Sequence, residues 1–94
     1  MLSLPSTLTQ FTATDCLRDL SDALGREPAA VVVDAARLVH FDSVALAVLL
    51  ALRRESLKLG KTFTIANMAA RLKDLARLYG IAELLHVQQE LHTL

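Results

Sequence analysis

The sequence predicts a single α/β domain, and three observations carry this prediction. The chain has 94 residues, which is enough for one hydrophobic core and too few for two. Apolar residues make up 53% of the chain and charged residues 21%, a balance typical of a folded globular domain. Strand-like and helix-like segments alternate in the order β-α-β-α-β-α, so we expect right-handed crossovers and a small mixed sheet.

The first half of the chain predicts an edge strand, a helix and a buried strand. "LSLPSTLT" is typical of an edge strand because Pro5 cannot donate a ladder hydrogen bond. A helix is predicted from Thr12 or Thr14 to Gly25, with leucines at helical spacing. The valine-rich run "AAVVVD", residues 29–34, predicts a strand covered on both faces, as in a parallel sheet between helices.

The second half predicts a long helix, a strand and a further helix. Asp42 and Ser43 are both helix-capping residue types, and the helix after them ends at Gly60. "KTFTIAN" predicts a strand, with Asn67 as the cap of the third helix. The last stretch, "IAELLHVQQELHTL", is compatible with a short strand or a helix, and both alternatives stay open.

Composition argues against several classes of function. Ten basic and ten acidic residues cancel, so no basic surface for nucleic acid is predicted, and self-association into a homodimer stays open. Cys16 is the only cysteine, which predicts a reducing compartment and an inert core thiol. No metal-ligand spacing and no glycine-rich phosphate loop occurs, so no metal or cofactor is predicted. The longest apolar run, nine residues, is shorter than the roughly 20 of a membrane span, so no membrane insertion is expected.

His40, Asp42 and Ser43 contain the residue types of a catalytic triad, but their pattern does not support one. Triad members meet through tertiary geometry, and no G-x-S-x-G elbow surrounds the serine. No catalytic residue is therefore predicted. His86 and His92 are isolated in the sequence and receive no role.

Ser43 allows two interpretations, and so does the helix that follows it. Its hydroxyl can cap the helix, or a kinase can phosphorylate it at a helix start that favours negative charge. The helix from Val44 to Leu52 is apolar all round. Either a neighbouring helix covers its outer side, or part of that side is exposed for a partner.

The stretch "VVVDAARLVHFDSVALAVLL" resembles the STAS domain family. That family has an apolar strand ending in Asp, a short connector, and Asp-Ser/Thr-x-Gly-Leu at the start of a long helix. Asp34, Asp42, Ser43 and Leu46 match these positions, and "LGKTFTIANMAARLKDLARLYGIAELL" matches the next strand and helix. The resemblance implies one STAS domain over residues 1–94, with about four strands, three to four helices, and no first strand of the family's N-terminal hairpin.

Within the family, "LARLYGIAELL" and "DSVALAVLLAL" are most similar to the MlaB proteins. These are non-enzymatic cytoplasmic subunits of a phospholipid-transporting ABC complex that maintains outer-membrane lipid asymmetry. The resemblance implies a partner similar to the ATPase MlaF, and through it the permease at the inner membrane. The related anti-sigma-factor antagonists, in which the matching serine is phosphorylated, provide the alternative.

The resemblance assigns Ser43 to the ATPase interface, and we expect the start of the long helix and the facing third helix to surround it. The family glycine after Ser/Thr-x is Ala45 here, which weakens the kinase interpretation more than the docking one. The predicted contact residues are Phe41, Asp42, Ser43, Val44, Ala45, Arg71, Arg77 and Tyr79.

Overall fold

The computed structural model describes residues 1–85, which form an α/β domain as predicted. Its strands and helices follow one another as β1 (Leu2–Ser3), β2 (Thr7–Leu8), α1 (Ala13–Leu24), β3 (Ala30–Asp34), β4 (His40–Phe41), α2 (Val44–Lys58), β5 (Thr62–Ala66) and α3 (Ala70–Leu78). A short 3₁₀ turn, Ala82–Leu84, follows α3. The C-terminal stretch for which the sequence left a strand and a helix open begins with this turn and continues into residues 86–94. Those residues, with His86 and His92 among them, lie outside the described part of the chain.

The strands form two small parallel arrays. The first has the order β1-β3-β5, and the second pairs β2 with β4. Every ladder in residues 1–85 is parallel, whereas the sequence predicted one mixed sheet of about four strands. β3 is central because its valines can be covered from both sides of the sheet.

Pro5 explains why the predicted edge strand is divided into β1 and β2. Proline has no N–H to donate, so the ladder is interrupted at this residue. Hydrogen bonds continue on either side of it: the Leu4 N–H donates to the Asp34 carbonyl, and the Ser6 carbonyl accepts from Val39 and His40. The segment between β3 and β4 therefore lies alongside the first residues of the chain and is joined to them by backbone hydrogen bonds. The sequence predicted only a connector there.

The core lies where α1 and α2 cover the sheet. α1 packs on α2, and α2 packs on β5. Of the two explanations for the apolar helix α2, this arrangement favours the first, because the neighbouring helix α1 covers most of the side of α2 that faces away from the sheet. Fully buried side chains come from every layer and include Leu24, Val33, Leu49, Leu52, Ile65 and Leu72. Cys16 lies partly buried beside this core, and burial, with a smaller contribution from Asp19, raises the pKa of its thiol.

Lys61 joins the end of α1 to the start of β5. Its Nζ donates hydrogen bonds to the carbonyl oxygens of Leu24 and Glu27, at 3.0 and 2.5 Å. A cation at a helix C-terminus interacts favourably with carbonyls that have no helical partner. The contact fixes the end of α1 at the amino-terminal edge of the strands, opposite the carboxyl edge where the predicted site lies.

Candidate partner-docking site

The predicted site lies where parallel strands end and the following segments meet. The carboxyl ends of β2, β4 and β5 lead into residues 9–12, 42–43 and 67–69. The backbone N–H of Gln10 donates to Asp42 Oδ2 at 3.1 Å, which connects the first two of these segments. The site is therefore built from parts of the chain that are distant in sequence.

Asp42 is the residue that caps α2. Its Oδ1 accepts a hydrogen bond from the backbone N–H of Val44 at 2.9 Å, the local arrangement that Asp side chains form two residues ahead of themselves. Its other oxygen holds Gln10. One carboxylate thus satisfies a helix N–H and fixes the loop before α1 against the start of α2.

Ser43 does not act as the cap that its residue type allowed. Its backbone already has helical angles, φ −63° and ψ −17°, and its side chain makes no capping hydrogen bond. Within residues 1–85 the hydroxyl has no hydrogen-bond partner, and the residue is exposed. The difference arises because a capping side chain needs non-helical backbone angles, and Ser43 already has helical angles whereas Asp42 stands one residue earlier, outside the helix.

The residues after Ser43 turn quickly toward the interior. Val44 is partly buried, and Ala45 is fully buried with 0% of its surface exposed. A partner that approaches this surface cannot contact Ala45, so its predicted role in direct contact needs correction. Ala47, one turn along from Ser43, is the next exposed residue of α2.

Phe41 and Arg71 form the second part of the site. Cζ of Arg71 lies 4.4 Å from the centroid of the Phe41 ring, within the range of a cation–π contact. Phe41 is partly buried against the core, while Arg71 is exposed in the first turn of α3. This contact places the start of α3 directly beside the residues that precede Ser43.

Arg77 and Tyr79 lie at the opposite end of α3. Six to eight residues of helix separate them from Arg71, a distance of about 9–12 Å along the axis. Arg77 pairs with Asp74 at 3.1 Å, and both side chains are well exposed. Tyr79 is 57% exposed, and Leu78, which sequence reasoning did not select, is 78% exposed. A surface that includes all of the predicted residues would have to follow the whole length of α3.

Asn67 and Asp34 form a polar pair at the same edge that the sequence did not predict. Asn67 has φ +59°, the left-handed region that Asn tolerates better than most residues. Its Nδ2 donates to Asp34 Oδ1 at 2.9 Å, and the same oxygen accepts the Ala36 N–H at 3.0 Å. These two bonds, the Asn67 bond first, lower the pKa of Asp34. Asn67 is therefore not the predicted cap: α3 begins at Ala70, after Ala69.

His40, Asp42 and Ser43 lie close in sequence but do not form a hydrogen-bonded triad. His40 is exposed, and no hydrogen bond joins it to Asp42 or Ser43. Over residues 1–85, no three His, Cys, Asp or Glu side chains lie close enough together to hold a metal ion. Among residues 1–85, the site presents the Ser43 hydroxyl without a hydrogen-bond partner, the Phe41 ring, and the Arg71 cation without an ion pair.

The sequence profile of a family described as "MlaB, STAS domain" matches residues 1–87. The chain belongs to this family. The match covers both the strand–helix unit around Ser43 and α3, and it confirms the family resemblance that the Asp-Ser motif indicated. Among curated proteins, none matches the chain significantly by sequence.

Two solved STAS structures share the fold of this STAS domain. One is the anti-sigma factor antagonist SpoIIAA in its unphosphorylated form, with 16% identity, a TM-score of 0.70, and coverage of 94% of this chain and 77% of that one. The other is an anti-sigma-factor antagonist (STAS) domain protein from Planctomyces limnophilus, with 13% identity, a TM-score of 0.75, and coverage of 94% and 80%. They confirm the predicted STAS-like α/β fold. Among the helices of residues 1–85, none is long and apolar enough to cross a bilayer.

Proposed function

We propose that this STAS domain is a non-catalytic subunit that binds and supports the ATPase of a phospholipid-transporting ABC complex, which maintains outer-membrane lipid asymmetry. The match to the MlaB family supports the proposal, together with the MlaB-like segments of α2 and α3. In this proposal the protein is cytoplasmic and is held at the inner membrane through the ATPase and its permease.

The observation that carries the proposal is the exposed Ser43 hydroxyl on a helix start that is already capped. Because Asp42 satisfies the Val44 N–H, the serine is available for a partner without loss of a bond inside the domain. Asp42 also ties this start to the loop at Gln10, which reduces the entropy lost when a partner binds.

The proposed docking surface extends from Ser43 across the Phe41–Arg71 contact. Arg71 forms no ion pair with a described residue, so it can meet an acceptor on the ATPase. Arg and aromatic residues are enriched in the cores of protein interfaces. Tyr79 and Arg77 form the distal part of the surface along α3, with the exposed Leu78 between them. Ala45 does not contact the partner; it is buried in the core and packs beneath the start of α2.

The proposal is tested by titrating the purified partner ATPase with wild-type protein and with Ser43→Asp. A new carboxylate in the contact would lose its hydration on binding, so we expect affinity to fall by about tenfold or more. Thr14→Asp is the matched control because Thr14 is an exposed hydroxyl residue in the first turn of α1. Equal affinities for Ser43→Asp and wild type, with both folded, would exclude Ser43 from the interface.

A second candidate function, an anti-sigma-factor antagonist switched by phosphorylation, is favoured by the accessibility of the Ser43 hydroxyl. Two features of the site oppose it. Helix N–H groups that would receive a phosphate are engaged: Val44 bonds to Asp42 Oδ1, and Ala45 and Leu46 bond to the carbonyls of Asp42 and Ser43. The Asp42 carboxylate beside Ser43 would also repel the phosphate.

Affinity purification from detergent-solubilised native cells separates the two functions. An ABC ATPase with its permease, and Ser43 without phosphate in the mass spectrum, supports the transport subunit. A kinase-fold partner together with a phosphopeptide that contains Ser43 would replace it with the antagonist.

A further inference from the structure

The C-terminal half of α2 carries a shallow groove that the proposed docking surface does not use. Its volume is about 470 Å³. We call it the basic groove because its wall contains three cations and three leucines: Leu50, Arg53, Arg54, Leu57, Lys58 and Leu84. Lys58 is 15 residues from Ser43, about 22 Å along the helix. A molecule in the basic groove would therefore leave the start of α2 accessible.

The cations of the basic groove form no ion pair within residues 1–85. In the part of the chain that the structure describes, the ion pairs are Met1–Glu27, Asp15–Arg18 and Asp74–Arg77, and none includes Arg53, Arg54 or Lys58. Nε of Arg53 is buried and has no hydrogen-bond partner. A buried N–H without a hydrogen-bond partner is unfavourable, and so is the mutual repulsion of three neighbouring cations. A bound acidic group would accept a hydrogen bond and would also offset the positive charge.

A surface with the complementary character lies on α1 of the same chain. Asp15, Asp19 and Asp22 follow one another at helical spacing and are exposed, and we call them the acidic ridge. Asp15 is paired with Arg18, whereas Asp19 and Asp22 form no ion pair within residues 1–85. Phe11, 87% exposed, precedes the helix and adds a large apolar group at the Asp15 end.

The two surfaces carry opposite charge and are not paired with each other within residues 1–85. α1 contains three aspartates and one arginine, a net charge of −2, and α2 contains three basic residues and one glutamate, a net charge of +2. The two helices pack side by side, yet no ion pair joins them in residues 1–85. Their charged faces therefore point outward.

We infer that the basic groove binds the acidic ridge of a second copy of this chain. Asp19 and Asp22 of one copy meet Arg53, Arg54 and Lys58 of the other, while Phe11 contacts the leucines of the groove. A second copy fits better than an unrelated partner because a chain without net charge carries both halves of the contact. The contact buries apolar surface and pairs charges that are otherwise unpaired.

Sedimentation velocity of the full chain over a range of concentrations tests this inference. We expect a dimer at low ionic strength that dissociates as salt is added, because screening weakens contacts between exposed charges. The double variants Arg54→Glu/Lys58→Glu and Asp19→Lys/Asp22→Lys should each raise the dissociation constant by about tenfold or more. Lys73→Glu, an exposed charge reversal on α3, is the control and should leave the dimer intact.

The decisive measurement mixes the two double variants. Each carries like charges on both surfaces, so neither should self-associate, but together they restore opposite charges at every contact and should form a heterodimer. Circular dichroism of each variant checks that it is folded. A wild-type chain that stays monomeric at low salt, a dimer that neither double variant weakens, or folded variants that fail to associate when mixed would each overturn the inference.

Discussion

The guanidinium carbon of Arg71 lies 4.4 Å from the centroid of the Phe41 ring. The two residues are 30 positions apart in the sequence, and each stands at the boundary of a different element, β4 and α3. Their contact therefore connects the segment that leads into α2 with the first turn of α3. The positions of both helix starts around Ser43 depend in part on this cation–π pair.

We predict that Arg71 and Phe41 stabilise the domain cooperatively. Arg71→Gln removes the cation and Phe41→Leu removes the ring, so a double-mutant cycle should give a coupling free energy of about 0.5–1 kcal/mol. The free energy of unfolding of each variant is measured in urea. The cation is exposed, so we expect the lower end of this range.

Arg77→Gln combined with Phe41→Leu provides the comparison for this cycle. Arg77 pairs with Asp74 rather than with the ring, so the effects of these two substitutions should add. A coupling for Arg71 no larger than the one for Arg77 would mean that the contact contributes nothing to stability.

A second prediction compares Asp42 with Ser43. Asp42→Ala removes the acceptor of two backbone N–H groups, those of Val44 and Gln10, and should lower the free energy of unfolding by about 1–2 kcal/mol. Ser43→Ala removes a hydroxyl that makes no bond in the described chain, so we expect a change within about 0.5 kcal/mol. Urea unfolding of both variants measures the difference, and a larger loss for Ser43→Ala would restore the serine as the cap.

The Asp42–Ser43 pair shows how far sequence reasoning reaches at this site. Two adjacent residues of capping type predict where a helix starts, and α2 does begin at Val44. Which of the two side chains caps it depends on the backbone angles of each residue, and a sequence pattern leaves those open. The capping bond and the freedom of Ser43 are two consequences of the same backbone geometry.

The contacts between distant segments were the part that the sequence could not predict. Periodicity describes one face of one helix, and Leu72 and Ala76, which share such a face of α3, are both buried. Tyr79 has the same helical spacing, but α3 ends at Leu78 and the Tyr79 side chain is exposed. The contacts of Phe41 with Arg71 and of Asp34 with Asn67 arise only when the strand ends meet at one edge.

The third prediction concerns Asp34, whose pKa is lowered first by the hydrogen bond from Asn67 and then by the one from the Ala36 N–H. Because the folded protein binds this proton less tightly than the unfolded chain, the carboxylate contributes stability above the unfolded pKa of about 3.9. That contribution is lost as the pH falls through the lower folded pKa. Asn67→Gly keeps the left-handed backbone and removes the donor, so the pKa of Asp34 should rise toward its ordinary value.

Carbon-detected NMR titration of the Asp34 carboxyl in wild type and Asn67→Gly measures this rise directly. Unfolding at a series of acidic pH values should show the stability difference between the two proteins shrinking as Asp34 becomes protonated, since a neutral carboxyl is a weaker acceptor. Asp34→Asn is the control background, because it cannot titrate and Asn67→Gly should have the same effect there at every pH. If the Asp34 pKa is the same with and without the Asn67 side chain, the Asn67 hydrogen bond does not control this carboxylate in solution.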